Sequence, residues 1–218
     1  MADHNRPWWH FWQSVCCDID KSENARQKIL EAAFHEIHRV GFQAASIQNI
    51  VKETGLTKGA LYHHFPNKLA LGYAVIDEII SPLIDFHWIS PLQADGNPID
   101  ILIDSIIKGG EQMTMDDIMS GCPLNKLAQE MSAIDEGFRE RIEASYMTWR
   151  SAIERALEAG KKKAYVREDV NTEQFAIVFV ATLEGCLGMA KSSQSMELLL
   201  SCGGGLISLL EGLRGSKK

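Results

Sequence analysis

The sequence predicts an all-α fold of about nine helices, an N-terminal three-helix unit followed by a larger helical domain. Two observations predict it. Apolar residues recur at three- and four-residue spacing along most of the 218 residues, and no alternating β-rich run competes. Ser, Thr and Asn precede the apolar segments and Gly or Pro follows them, the punctuation expected of helix starts and stops. There is no internal repeat and no low-complexity tract.

The elements follow in order. From Ser22, a candidate N-cap, the residues Ile29, Ala33, Phe34, Ile37 and Val40 recur at helical spacing until Gly41. A second, short helix begins after Ser46, turns Ile47, Ile50 and Val51 inward and ends at Gly55, which tolerates positive φ. Thr57 caps a third carrying Ala60 and Leu61, Pro66 closes it, and Asn67 caps a long fourth helix from Lys68. Pro91, Gly96 and Pro98 mark a linker. A fifth helix is expected over about 99–115, a turn over 116–121 and a short sixth helix from Pro123. The seventh is the clearest: Phe138, Ile142, Trp149, Ile153 and Leu157 share a face, and Gly160 with Lys161, Lys162 and Lys163 ends it. Asn171 and Gln174 resemble a capping box for an eighth helix, about 175–190, apolar on nearly every side and so expected to be buried. A ninth runs from Ser195 to about 213, weakened by Gly203, Gly204 and Gly205.

Composition narrows the functional classes. With 45% hydrophobic residues the chain can bury a sizeable core. No run of about 18 uncharged apolar residues predicts a membrane span, and the acidic start lacks the form of an export signal. Five cysteines (16, 17, 122, 186 and 202) without a metal-type pair suit reduced thiols in a cytoplasmic protein. Net charge is −7, which disfavours a protein that coats nucleic acid over its whole surface. The charge is nevertheless uneven. Residues 21–68 hold seven Lys/Arg against four Glu, a net +3, whereas residues 69–218 hold fourteen basic against twenty-two acidic, a net −8. A basic head on an acidic body suits a focused phosphate contact.

The informative stretch is residues 45–68, ASIQNIVKETGLTKGALYHHFPNK. Two short helices about a glycine turn form a helix-turn-helix, with Ile47, Ile50, Val51, Leu56 and Leu61 as its small core. The second helix then presents Thr57, Lys58, Tyr62 and His63, Gly59 leaves room for close backbone approach, and Ser46 and Lys68 flank it. Hydroxyls, a phenol, an imidazole and ammonium groups around a helix N-terminus are a DNA-contacting set. His64 and Phe65 are read as packing residues. Ser46, Ile50, Gly55, Leu56, Thr57, Lys58, Gly59, Leu61, Tyr62, His64, Phe65, Asn67 and Lys68 together resemble the helix-turn-helix of the TetR family of bacterial repressors. The likeness covers roughly residues 22–70; Val51, where that family often has Ala, departs from it.

The resemblance implies a homodimer joined through the eighth and ninth helices, a palindromic double-stranded DNA operator, and a C-terminal domain that takes a small-molecule effector. The expected division is an extension over 1–21, a DNA-binding domain over 22–68, and a ligand-binding and dimerisation domain over 69–218. Ala181, Gly185, Gly188 and Ala190 are small enough for close helix approach. Candidate effector-binding residues are Phe86, His87, Trp88, Met113, Met119, Cys122, Trp149, Phe179, Glu184 and Met189, residue types that build a plain core equally well. Glu184 stands out, because a carboxylate in an apolar helix needs a partner. Cys122, just before Pro123, would sit at a helix N-cap, where the dipole favours thiolate. A Gly-Cys at this place also occurs in electrophile-sensing relatives of the resembled family, so Cys122 is a candidate redox sensor, with a half-buried spacer as the alternative. The segment 8–17 holds His10, Cys16 and Cys17, whose spacing is not that of a metal site. No metal or cofactor is expected, and no nucleophile–base motif or phosphate loop supports an enzyme.

Overall fold

The computed structural model describes residues 21–215. The expected N-terminal extension, with Trp8, His10, Cys16 and Cys17, lies outside the described residues, apart from the backbone of Lys21. The described chain is helical throughout, and its one β-type contact is an isolated bridge between Val166 and Arg214.

The helices are α1 (Lys21–Val40), α2 (Ile47–Thr54), α3 (Lys58–His64) and α4 (Lys68–Val75), then α5 (Pro98–Gln112), α6 (Met115–Ser120), α7 (Pro123–Met131), α8 (Glu136–Lys162), α9 (Thr172–Ser193) and α10 (Met196–Glu211). Local chemistry sets their starts. Ser46, Thr57, Asn67, Asn97, Asn171 and Ser195 each accept a backbone N–H of the first turn that they open. Gly41 (φ +89°) and Gly55 (φ +68°) end α1 and α2 in the left-handed conformation that glycine adopts without strain.

After α4 the helix continues without a break through two wide π-helical stretches, Ile76–Ile80 and Asp85–Ile89. Each precedes a proline, Pro82 and Pro91. A proline offers no N–H and crowds the carbonyl four residues earlier, so the backbone widens there instead of stopping.

Several expectations need correction. Ser22 lies within α1 and does not precede it. Residues 116–121 are not a turn: Thr114 and Asp117 form a reciprocal capping box that starts α6. Gly160 does not end α8. It lies inside the helix, where Pro98 and Val166 leave no room for a side chain, and the left-handed Ala164 follows the helix end at Lys162. The triple glycine does not break α10. Finally, α9 is not buried on every side within the protomer: Ile177, Val178, Ala181, Gly185, Gly188 and Met189 are exposed.

Packing divides the described residues into two compact units, one holding those up to Leu83 with Pro123–Glu143, the other Ile84–Cys122 with those from Ala144 onward. These limits differ from the division at 68/69 expected from the motif, because α4 and α7 share the core of the first unit. That core is built from Ile29, Ala33, Phe34 and Ile37 of α1 with Ile50, Leu61, Phe65, Leu71 and Phe138. In the second unit α9 packs along α10, and α10 along α5. There Trp149, Ile153, Leu157, Phe179, Leu206 and Leu210 are buried.

Candidate nucleic-acid interface and effector site

The first unit braces a short exposed helix. Leu61 and Phe65 anchor α3 from beneath, both buried, and the Arg26 guanidinium covers the Phe65 ring at 5.0 Å. Arg26 also forms a two-pronged pair with Glu78, at 2.5 and 2.7 Å, which ties α1 to the first π-helical stretch. The outward side of α3 carries Thr57, Lys58, Gly59, Tyr62 and His63, every one exposed, with Tyr62 at 47%. Thr57 spends its hydroxyl on the cap, accepting from the Ala60 N–H at 3.1 Å, and Ser46 likewise accepts from the Gln48 N–H. The structure therefore brings five of the seven predicted DNA-binding residues onto one solvent-facing surface.

Lys68, expected to contact phosphate, is half-buried beside the turn between α1 and α2. Its ammonium donates to the carbonyl of Gln43 at 3.0 Å and lies 4.9 Å from the centre of the Phe42 ring. Desolvation lowers its pKa, opposed by the carboxylates of Glu130 and Glu36. Lys68 supports the turn between α1 and α2.

Sequence reasoning missed Glu36. This carboxylate is 6% exposed and accepts from the Asn49 side chain (2.7 Å), from Arg39 (2.5 Å) and from the Ser46 N–H (3.3 Å). Burial pushes its pKa up, yet the three hydrogen bonds outweigh burial and hold it below the usual carboxylate range. No signal in the local pattern marks it, because Asn49 is thirteen residues away. Tyr73, Asp135 and Arg141 were missed for the same reason: Tyr73 donates to Asp135 at 2.7 Å, and Arg141 lies over the Tyr73 ring.

In the second unit six of the ten predicted effector residues fall into two groups. Trp88, Trp149 and Phe179 form an aromatic cluster, with ring centres 5.5 Å (Trp88–Trp149) and 5.9 Å (Trp88–Phe179) apart. Trp149 is 2% exposed, and its buried indole N–H has no hydrogen-bond acceptor among the described residues. His87 adjoins Phe86, and burial lowers its pKa, which favours neutral imidazole. The second group joins Cys122, whose thiol donates to the buried Glu184 carboxylate at 3.2 Å, and Met113, packed with Cys122 against Ile118, Leu187, Ala190 and Leu199. Phe86, Met119 and Met189 are exposed by 46%, 44% and 56%. The described cysteines are free thiols; burial first, and then the neighbouring Cys202, raises the Cys186 thiol to about 11. Among the described residues no cluster of three or more His, Cys, Asp or Glu has the form of a metal site.

Two family models match the chain. "Bacterial regulatory proteins, tetR family" covers residues 29–75, and "Tetracyclin repressor-like, C-terminal domain" covers residues 102–199. Among curated proteins, the chain is similar to an HTH-type transcriptional regulator from the lacX 3' region of Lactococcus lactis subsp. lactis. The two are 28% identical over 185 residues, which span 84% of this chain and 92% of that protein. Among solved structures, it shares the fold of a TetR-family transcriptional regulator from Cytophaga hutchinsonii, with a TM-score of 0.79 and 20% identity over 92% of this chain and 100% of the other. The reduced form of E. coli NemR has the same fold, with a TM-score of 0.75 and 21% identity over 88% of this chain and 98% of the other. With the exposed α3 on its braced head and the two matching halves, the chain belongs to the TetR family of DNA-binding transcriptional regulators and is not an enzyme.

Proposed function

We propose that the chain is a cytoplasmic homodimeric repressor, released from a palindromic double-stranded DNA operator when a small molecule occupies its C-terminal domain. The observation that carries the reading is the outward surface of α3, where Thr57, Lys58, Gly59, Tyr62 and His63 stand exposed on a helix anchored by Leu61 and Phe65. Residues 22–68 read DNA on this account, and 69–218 supply effector binding and dimerisation. Lys58 meets phosphate, Tyr62 and His63 reach base edges, and Ser46 and Thr57 hold the two helices of the motif in register.

The dimer reading rests on α9 and α10. Gly185, Gly188, Gly204 and Gly205 meet nothing within 4 Å of where a side chain would begin, and Ile177, Val178, Leu200 and Leu209 are exposed beside them. By length and composition α9 would also cross a bilayer. Its small residues and its buried Glu184 suit a partner helix better than lipid. The effector reading rests on the aromatic cluster and its Trp149 N–H, which suits a flat apolar molecule bearing a hydrogen-bond acceptor.

Fluorescence anisotropy tests the reading. The full-length protein is titrated onto duplexes from its own upstream region and onto scrambled duplexes across a salt series, with heparin as competitor. Preference for one upstream duplex over both competitors supports operator binding; equal affinity for all three rejects it.

A second reading, thiol sensing through Cys122, is favoured by one contact. The thiol donates a hydrogen bond to the buried Glu184 carboxylate at 3.2 Å. An adduct on Cys122 would displace Glu184. Operator binding unchanged after complete alkylation of Cys122 rejects this reading and leaves the effector reading intact.

A further inference from the structure

Helix α7 directs two opposite charges at one turn of the DNA-binding unit. Lys126 donates to the carbonyls of His38 (2.6 Å) and Arg39 (3.1 Å), in the last turn of α1, where a helix leaves its C=O groups without intrahelical partners. One helical turn further along α7, the Glu130 carboxylate accepts from the N–H groups of Phe42 (2.8 Å) and Gln43 (2.7 Å). Gly41 lies between these two pairs. A side chain there would begin 2.8 Å from a Glu130 oxygen, so the glycine leaves the space that the carboxylate fills. Lys68 closes the turn from a third direction through the carbonyl of Gln43.

The match of charge to dipole is specific. The cation meets the carbonyl end of α1, and the anion meets two successive N–H groups of the turn beyond it. On a solvated helix, Lys126 and Glu130 at this spacing would pair with each other. Here both instead reach residues 87 or 88 positions away. The turn they hold leads directly to Ser46, the cap of α2, and so fixes where the helix-turn-helix starts.

We propose that Lys126 and Glu130 form a clamp that positions the helix-turn-helix for its operator, acting through the turn between α1 and α2 without touching DNA. The proposal rests on the reading of α3 as the operator-contacting helix. The clamp selects one orientation of α2 and α3 before DNA arrives, so specific binding incurs less ordering cost. It contributes little to general attraction for phosphate, because both of its charges are engaged within the protein.

The test uses the full-length protein and a duplex selected by the wild-type dimer from a random pool. E130Q and K126M are compared with wild type and with K58A for affinity to the selected duplex, affinity to scrambled duplex, and the slope of affinity against salt. The clamp predicts that E130Q and K126M lose about tenfold or more in specific affinity. It also predicts that scrambled-duplex affinity and the salt slope stay at wild-type values, with faster hydrogen exchange at the Phe42 and Gln43 amides in E130Q. In K58A the slope falls. K126M gives a second route should E130Q fold poorly. Wild-type specific affinity in folded K126M or E130Q overturns the clamp, as does a reduced salt slope, which would make either residue a direct phosphate contact. A wild-type protein that enriches no duplex from the pool overturns the operator reading itself, a result distinct from failure of the clamp.

Discussion

At the residue scale, Glu36 links protonation to the stability of the DNA-binding unit. Its folded-state pKa is depressed, because the hydrogen bonds from Asn49, Arg39 and the Ser46 N–H outweigh the burial that opposes them. A depressed carboxylate contributes stability above its unfolded pKa, and the contribution is lost as pH falls through the lower folded value. E36Q should therefore destabilise the protein by about 1–3 kcal/mol at neutral pH, since its partners keep only part of their hydrogen bonding. The difference from wild type should shrink as the solution is acidified below the usual carboxylate range. Thermal unfolding at a series of pH values checks this, and a difference that stays constant into acid refutes it. On the exposed side of α3, K58A should weaken binding to every duplex and flatten its salt dependence. Y62A should cost about 1–3 kcal/mol of specific affinity if the phenol meets a base edge. A Y62A protein that loses affinity equally for selected and scrambled duplex would move Tyr62 from base reading to backbone contact.

At the element scale, helix starts were legible and helix faces less so. Ser46, Thr57, Asn67, Asn171 and Ser195 act where their side chains lie, within one turn of the group they satisfy, so a local reading finds them. The capping box of Thr114 and Asp117 has equally local chemistry, but residues 116–121, with two Asp, Ser and Gly, read as a turn until the reciprocal bonds are seen. The exposed side of α9 was partly legible: the small residues Ala181, Gly185 and Gly188 lie on it, but Ala190 is buried within the protomer, because a helix apolar all round does not declare every position that its own chain covers. That side gives a clean prediction. At Gly185 an added side chain meets nothing in its own protomer, and Glu is a better helix former than Gly. Gly185→Glu should thus leave the protomer folded and separate the dimer, with loss of operator affinity. Sedimentation velocity with circular dichroism decides it: a variant that remains dimeric puts the interface elsewhere.

At the scale of the whole molecule, the α3 surface and the aromatic cluster around Trp149 belong to different compact units. If the effector binds in the second unit, operator and effector occupy distinct sites and couple through a free energy, typically about 1–3 kcal/mol. Operator affinity should then fall to a plateau at saturating effector, since a ternary complex is possible. Affinity that keeps falling in proportion to effector concentration would mean direct competition for the α3 surface. The charge distribution along the sequence also works at this scale: residues 21–68 carry a net +3 and residues 69–218 a net −8, which favours DNA contact through the former segment.

The sequence alone determined the helical class, the helix-turn-helix string and most of the caps, because periodicity and capping act between groups no more than about four residues apart. Tertiary structure decided the rest. It paired Glu36 with Asn49, placed the Lys68 ammonium on the carbonyl of Gln43, and set Lys126 and Glu130 on the end of α1. It also chose the side of α9 left uncovered. A polar side chain takes the partner that folding brings within about 3 Å, and for groups nearly ninety residues apart the packed core selects that partner, which no local pattern encodes.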